Sequence, residues 1–151
     1  MMKKWKQLSI SVLKVTITFF DKLIIFVHHT YRTTMTNIQK IQHKGKEIIY
    51  VDYRGQSEDE MLTTASSLRD FLLTDPGDHL RLVNISDTPA TRKFTAYIRE
   101  LGKETKHIPV KAAIVGITGA KKVLLTGYNR LLGGAMRPFD DEETAKEYLV
   151  S

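Results

Sequence analysis

The sequence predicts an α/β protein with a mainly parallel mixed sheet, an N-terminal hairpin and covering helices. Segments with strand-like composition alternate with segments of helical spacing, in the order ββαβαβαβα. After the hairpin, each connection between strands is long enough to hold a helix, as parallel pairing requires. The chain has 151 residues, of which 42% are hydrophobic, so it can form a core without disulfides.

The first two strands are predicted to form a hairpin. The segment "IQKIQH" alternates apolar and polar residues, and "KEIIYVDY" is rich in β-branched and aromatic residues. Lys44 and Gly45 between them suit a tight two-residue turn. These features predict two antiparallel strands from Ile38 onward.

Four helices are predicted from apolar residues that recur at steps of three and four. Ser57 is predicted to cap the first helix, and Asp140 the last. Gly102, followed by Pro109, is predicted to end the second helix, and Gly133 to close the third together with Gly134. The residues predicted to face the core are Met61, Ala65, Leu68 and Leu72, then Phe94, Tyr97, Ile98 and Leu101, then Val123, Leu124, Tyr128, Leu131 and Leu132.

Three further strands are predicted between these helices, in "HLRLVNI", "VKAAIVGI" and the short "MRPF". The first two are apolar enough to be buried strands. Tyrosines beside these segments are predicted to lie in the core or at its edge, namely Tyr50, Tyr53, Tyr97 and Tyr128. The strands and helices together account for residues 35–151, which we predict to be one domain.

Residues 1–34 differ from that domain and are predicted to be an N-terminal extension. They carry six of the 23 basic residues and one of the 17 acidic residues, a net charge of +5, which leaves +1 for the remainder. Their spacing favours a basic amphipathic helix that contacts a membrane surface, although a strand, or an upstream extension without a role, also fits. A membrane span is disfavoured because each of three internal charges costs ~2.5–3.5 kcal/mol.

Composition argues against several classes of function. The chain has no cysteine, which excludes thiolate chemistry and agrees with a cytoplasmic location. The main domain lacks a basic stripe with interleaved aromatic residues, so no nucleic-acid partner is predicted. His43, His79 and His107 show neither metal-ligand spacing nor a paired acid in the sequence. We therefore predict no metal and no cofactor, and no catalytic group can be identified from the sequence. An enzyme whose site the sequence does not reveal is a third alternative.

The stretch "AAIVGITGAKKVLL" resembles a phosphate-binding loop only superficially. The spacing of Gly116 and Gly119 fits neither a Walker loop nor a dinucleotide fingerprint. What remains is a helix start with two adjacent lysines, which can attract an anion. The candidate anion or ligand site comprises Thr118, Gly119, Lys121 and Lys122. The alternative is that Thr118 caps the helix and the lysines are solvated.

A second candidate site is the loop "NISDTPATRK", which follows a strand and opens a helix. Ligands and partners of open α/β sheets meet the carboxyl ends of strands. Its candidate partner-binding or regulatory residues are Ser86, Asp87, Thr88 and Thr91. The alternative is that one of the first three caps the helix, with Pro89 in the first turn.

From about Ile38 to Leu149 the chain resembles the SpoIIAA-like group, which is related to the STAS (sulfate transporter and anti-sigma factor antagonist) domain. The resemblance lies in "IQHKGKEIIYVDYRG", "LVNISDTPATRK", "AAIVGITGAKKVLL" and "RPFDDEETAKEYL". It implies a non-enzymatic regulatory domain that binds a kinase or anti-sigma type protein partner at Ser86 to Lys93. It also implies control by phosphorylation of a hydroxyl there, although the family pattern Asp-Ser-Ser/Thr-Gly is replaced by "SDTP".

Related sheets also occur in lipid-carrying domains of the Sec14 type. The alternative function is therefore a small-molecule or lipid-binding module that uses the helix start from Thr118 to Lys122. In that case residues 1–34 would add contact with a membrane.

Overall fold

The computed structural model of the chain describes residues 37–75, 77–133 and 136–151. The predicted N-terminal extension, residues 1–34, lies outside the described residues, and so does its predicted amphipathic helix. Within the described ranges, no helix combines the length and the hydropathy that a membrane span requires.

The predicted fold class and element order are confirmed. One five-stranded sheet has its strands in chain order, with the first strand antiparallel to the second and all later neighbours parallel. The strands are β1 (Ile38–His43), β2 (Lys46–Asp52), β3 (His79–Asn84), β4 (Val110–Val115) and β5 (Arg137–Phe139). The helices are α1 (Glu58–Thr74), α2 (Arg92–Thr105), α3 (Ala120–Leu132) and α4 (Glu142–Val150).

The predicted hairpin is present, and its turn has the expected chemistry. β1 and β2 pair from Ile38 opposite Val51 to His43 opposite Lys46. Lys44 and Gly45 have φ values of 47° and 78°. Left-handed backbone at both turn positions matches the twist of the flanking strands, and glycine adopts it readily.

The helices cover the two faces of the sheet unequally. From β2 onward each crossover moves to the adjacent strand in the same direction, so right-handed connections place α1, α2 and α3 on one face. α4 follows the last strand and packs on the other face, against β3, β4 and β5. The domain therefore has a face covered by three helices and a face covered by α4.

Strand alternation separates the core into two parts. The part beneath α4 consists of Ile48, Tyr50, Leu82, Ala113, Val115, Ala145 and Leu149, all buried. Because neighbouring residues in a strand point to opposite faces, Ile49, Val51, Arg81, Val83, Ala112 and Ile114 lie beneath the other three helices. An arginine is thus among the residues that face the larger helical layer.

The predicted helix ends are partly confirmed. Ser57 caps α1 and forms a reciprocal capping box with Glu60. The prediction for α4 was wrong by one residue, because Asp141 rather than Asp140 accepts the amide of Thr144. α2 continues through Gly102 to Thr105, so Gly102 does not end it and is instead a buried helix residue.

The prediction of which α3 residues are buried in the core was largely wrong. Val123 is 74% exposed, Leu131 60% and Leu124 40%, whereas Leu125, which the pattern did not select, is buried. The predicted core residues of α2 are buried only at Leu101; Phe94, Tyr97 and Ile98 are half-buried. The apolar side chains of these two helices therefore do not close onto each other.

Candidate functional site

The loops that follow β3 and β4 lie against each other at the carboxyl edge of the sheet. Asn84 pairs with Val115, and the Ile85 amide donates to the Val115 carbonyl over 3.0 Å. Gly116 has a φ of 85°, and a Cβ added to it would lie 2.3 Å from the Ser86 nitrogen. Only glycine permits this contact, because any other residue would collide with the backbone of the neighbouring loop.

Lys121 connects the two loops and thereby joins the two candidate sites predicted from the sequence. Its ammonium group donates to the Ile85 carbonyl over 2.8 Å and approaches the Gly116 carbonyl at 3.5 Å. Burial lowers the pKa of Lys121, and the nearby Asp87 carboxylate partly opposes that effect. Its hydrogen-bonding capacity is thus directed largely at the protein backbone.

The four hydroxyl- and carboxyl-bearing residues predicted in the first loop have different environments. Thr88 is buried and donates to the Ile85 carbonyl over 2.7 Å. Thr91 caps α2 by accepting the Phe94 amide at 3.1 Å, so none of the three residues expected to cap this helix does so. Ser86 is half-buried, and Asp87 is exposed with a left-handed φ of 55°.

The remaining residues of the second predicted site lie on the surface. Thr118 and Lys122 are exposed, and Gly119 occupies the N-cap position of α3 without a side-chain hydrogen bond. The alternative in which Thr118 caps α3 is therefore wrong. The start of α3 presents backbone amides and the exposed Lys122, while Lys121 is directed into the loop contact.

A cavity of about 310 Å³ lies between α2, α3 and the sheet. Its floor comes from β3 and β4, and its sides come from the two helices. Residues of the two loops and the half-buried or exposed apolar residues of α3 form its margin. The apolar lining includes Val83, Ile85, Phe94, Ile98, Leu101, Ile114, Ile117, Val123, Leu124, Leu125, Leu131 and Met136.

Three buried polar side chains also line this cavity: Thr88, whose hydroxyl donates to the Ile85 carbonyl, and two others, Arg81 and Tyr53. Arg81 is 7% exposed and Tyr53 is 2% exposed. Neither the Arg81 Nε nor the Tyr53 hydroxyl has a hydrogen-bond partner among the described residues. None of the ion pairs found in residues 37–75, 77–133 and 136–151 includes Arg81.

The position of Arg81 in the sheet explains why it forms no ion pair within the described ranges. It lies in the central strand β3, level with Ile49 on one side and Ala112 on the other. The neighbouring strand positions therefore offer no polar side chain. Burial raises the pKa of the Tyr53 phenol, while the positive charge of Arg81 acts in the opposite direction. The phenol is therefore neutral and does not neutralise the arginine.

A polar network on the opposite face joins the first loop to α4. Glu142 accepts hydrogen bonds of 2.6 Å from both the Tyr50 hydroxyl and the Asn84 amide. The Asn84 oxygen in turn accepts the Ser86 amide, and Arg54 donates to the Tyr50 hydroxyl. Burial opposes ionisation of Glu142, but these hydrogen bonds and the nearby Arg54 lower its pKa overall.

The expectation that His43 has no paired acid was wrong. Its Nε2 lies 3.0 Å from Glu147 and 3.9 Å from Glu143, because the end of β1 lies beside α4. The three side chains have the chemistry of metal ligands. Lys44 also forms an ion pair with Glu147, and Lys146 with Glu143. These pairs explain the cluster as a network of surface charges without a metal ion.

The fold and cavity define this chain as a mixed α/β domain with an apolar cavity that contains a buried arginine. Comparisons with protein-family models, with curated proteins and with solved structures found no match. The functional interpretation therefore depends on the residues and their geometry.

Arg81 was not among the functional candidates predicted from the sequence, although the sequence contains a signal for it. In "HLRLVNI", Arg81 and Val83 are two positions apart and therefore point to the same face of the sheet. A strand covered on both faces offers no exposed position for a charge. An arginine inside an otherwise apolar buried strand is unusual, since charged side chains are seldom fully buried without a partner. The arginine within this apolar strand is the feature of the sequence that could have indicated the cavity.

Proposed function

We propose that this domain binds a small, largely apolar molecule in the cavity between α2, α3 and the sheet. The observation that carries the proposal is the cavity itself, whose volume of about 310 Å³ is at the lower end of the ~300–1,000 Å³ range of ligand pockets. Its lining is mostly apolar with a few polar groups, which is typical of small-molecule sites. The sequence suggested the same kind of function, a small-molecule or lipid-binding module, as the alternative. It placed the site at the helix start from Thr118 to Lys122, whereas the cavity has a different lining.

The surrounding helices support a binding site in preference to a packing defect. Protein interiors rarely leave voids much larger than a water molecule. Here Phe94 and Ile98 from α2, and Leu124 and Tyr128 from α3, border a much larger space and are not fully buried. A bound apolar molecule would cover these side chains and provide the contacts that the two helices do not make with each other.

Gly127 offers a direct test because it lines the cavity and nothing lies within 4 Å of a Cβ built there. We expect Gly127→Leu to place a side chain in the entrance and to weaken binding of the neutral fluorescent probe N-phenyl-1-naphthylamine about tenfold, equivalent to ~1.4 kcal/mol. Fluorescence titration of the full-length protein measures the dissociation constant.

Gly127→Ala is the matched control, since it changes the same helix position without filling the entrance. Both substitutions also replace glycine inside a helix, so neither is expected to destabilise α3. Equal probe affinity for the wild type and both variants, or no probe binding to the wild-type protein, would contradict the proposed function.

A second candidate function is protein binding at the loop from Ser86 to Lys93, as the resemblance to the SpoIIAA-like and STAS group implies. The proposed relationship is supported by the element order and by the position of this loop at the start of the helix after β3. The specific observation in favour is that exposed Asp87 lies near the start of α3, whose Val123 and Leu124 expose apolar surface. Partner surfaces commonly have an apolar centre with polar residues at its rim.

For this second candidate, we expect phosphorylation of Ser86 or Thr91 and not of Thr88, because the Thr88 hydroxyl is buried and bonded to a carbonyl. A phosphate on Thr91 would lie at the N-terminus of α2, where negative charge is favoured. Intact-mass measurement of protein from its native cells, followed by site mapping, checks this. Phosphate at Thr88, or none in any growth phase, would contradict it.

A further inference from the structure

We propose that the molecule bound in this cavity is an amphiphilic anion, with its charged group paired with Arg81 and its apolar part between α2 and α3. This inference rests on the proposed function and specifies the chemical class of its ligand. It follows from one unusual feature of the cavity, a buried cation at its floor that forms no ion pair with any of the described residues.

The burial of Arg81 requires compensation that the described residues do not supply. Its side chain is 7% exposed, its Nε has no hydrogen-bond partner among the described residues, and the adjacent strand positions are Ile49 and Ala112. A buried charge is strongly unfavourable unless it is paired and hydrogen-bonded. A guanidinium group presents N–H donors in a planar fork that matches a carboxylate. A carboxylate in the cavity would therefore satisfy Arg81.

Tyr53 provides a second donor on the same wall of the cavity. Its hydroxyl is buried and has no hydrogen-bond partner in the part of the chain that the structure describes. Its ring is fixed by an edge contact with Phe94, with centroids 5.2 Å apart. Because the phenol stays protonated, it can donate to an anion. The Tyr53 oxygen could also accept a hydrogen bond from an ammonium ligand, but the nearby Arg81 cation would repel that ligand. The two groups together favour an acidic ligand over a basic one.

The other cations beside the cavity are less suited to this role. Lys121 already donates to the Ile85 carbonyl. Arg99 is exposed, so solvent screens its charge, and its pairing with a ligand would contribute little. The remaining lining is mostly apolar and suits an alkyl or aryl group. The ligand class is therefore a monoanion with an apolar body.

The experiment compares decanoate, decanol and decylammonium as competitors of N-phenyl-1-naphthylamine on the full-length protein, with calorimetric titration of decanoate as a second readout. We expect decanoate to bind at least about tenfold more tightly than decanol, and decylammonium to be the weakest. In Arg81→Met, the ratio of the decanoate affinity to the decanol affinity should fall to about one. Arg99→Met is the matched control and should keep the wild-type preference.

The possible failures are distinguishable. If the neutral probe binds but decanoate and decanol compete equally, or if Arg81→Met keeps the preference for the acid, the inference about the anion is overturned and the proposed function stands. If the preference is lost in Arg99→Met instead, Arg81 is not the binding group and the assignment is wrong. If neither the probe nor any amphiphile binds, the proposed function and the inference both fail.

Discussion

Gly116→Ala is expected to destabilise the domain by about 3 kcal/mol or more, from steric overlap together with left-handed backbone strain. The new Cβ would lie 2.3 Å from the Ser86 nitrogen and 2.5 Å from its Cα. Ser86 cannot retreat easily, because its amide donates to Asn84 and the Ile85 amide donates to Val115. The loops after β3 and β4 would have to separate. Urea unfolding followed by circular dichroism measures the change.

Gly119→Ala is the control for the backbone contribution. Gly119 also has a positive φ, 51°, but nothing lies within 4 Å of an added Cβ. Its substitution should therefore cost only the strain of its positive-φ backbone, with a ψ of −127°, which is about 1–3 kcal/mol. The difference between the two variants isolates the collision with Ser86. Equal destabilisation would show that the two loops do not meet as closely as the structure indicates.

Local chemistry was sufficient to predict most of the architecture. Lys44 and Gly45 gave the hairpin turn, and Ser57 with three following acids gave the start of α1. These predictions succeed because a turn or a cap depends on residues a few positions apart. The error at Asp140 is of a different kind, since two adjacent aspartates can each cap a helix and only the path of the chain from β5 decides between them.

The cavity could not be predicted from periodicity alone. Val123, Leu124 and Leu131 recur at helical spacing, which shows that one side of α3 is apolar but not what lies opposite it. Whether such a side packs against a core or borders a cavity depends on the distance between α2 and α3, a tertiary property. Likewise, the contact between Lys121 and the Ile85 carbonyl joins segments 36 positions apart, and neither segment indicates it.

Arg81→Met is expected to stabilise the ligand-free protein by about 1–3 kcal/mol, the opposite of the usual effect of a core substitution. Methionine is shorter than arginine, but it is flexible and apolar and can pack beside Ile49 and Ala112. It removes a buried cation that has no ion pair among the described residues. Urea unfolding of the full-length protein, freed of bound amphiphile, measures the gain in the free energy of unfolding.

The control is Arg99→Met, which makes the same change at an exposed position of the cavity margin and should shift stability by less than about 0.5 kcal/mol.

Adding decanoate provides a second comparison, because a ligand present at 100 times its dissociation constant stabilises the protein that binds it by about 2.7 kcal/mol. That increment is expected for the wild type and Arg99→Met and not for Arg81→Met. A gain in ligand-free stability together with the loss of this increment in Arg81→Met would indicate that Arg81 serves ligand binding and not folding. If Arg81→Met were instead less stable without ligand, the arginine would have a structural role and its charge would already be compensated.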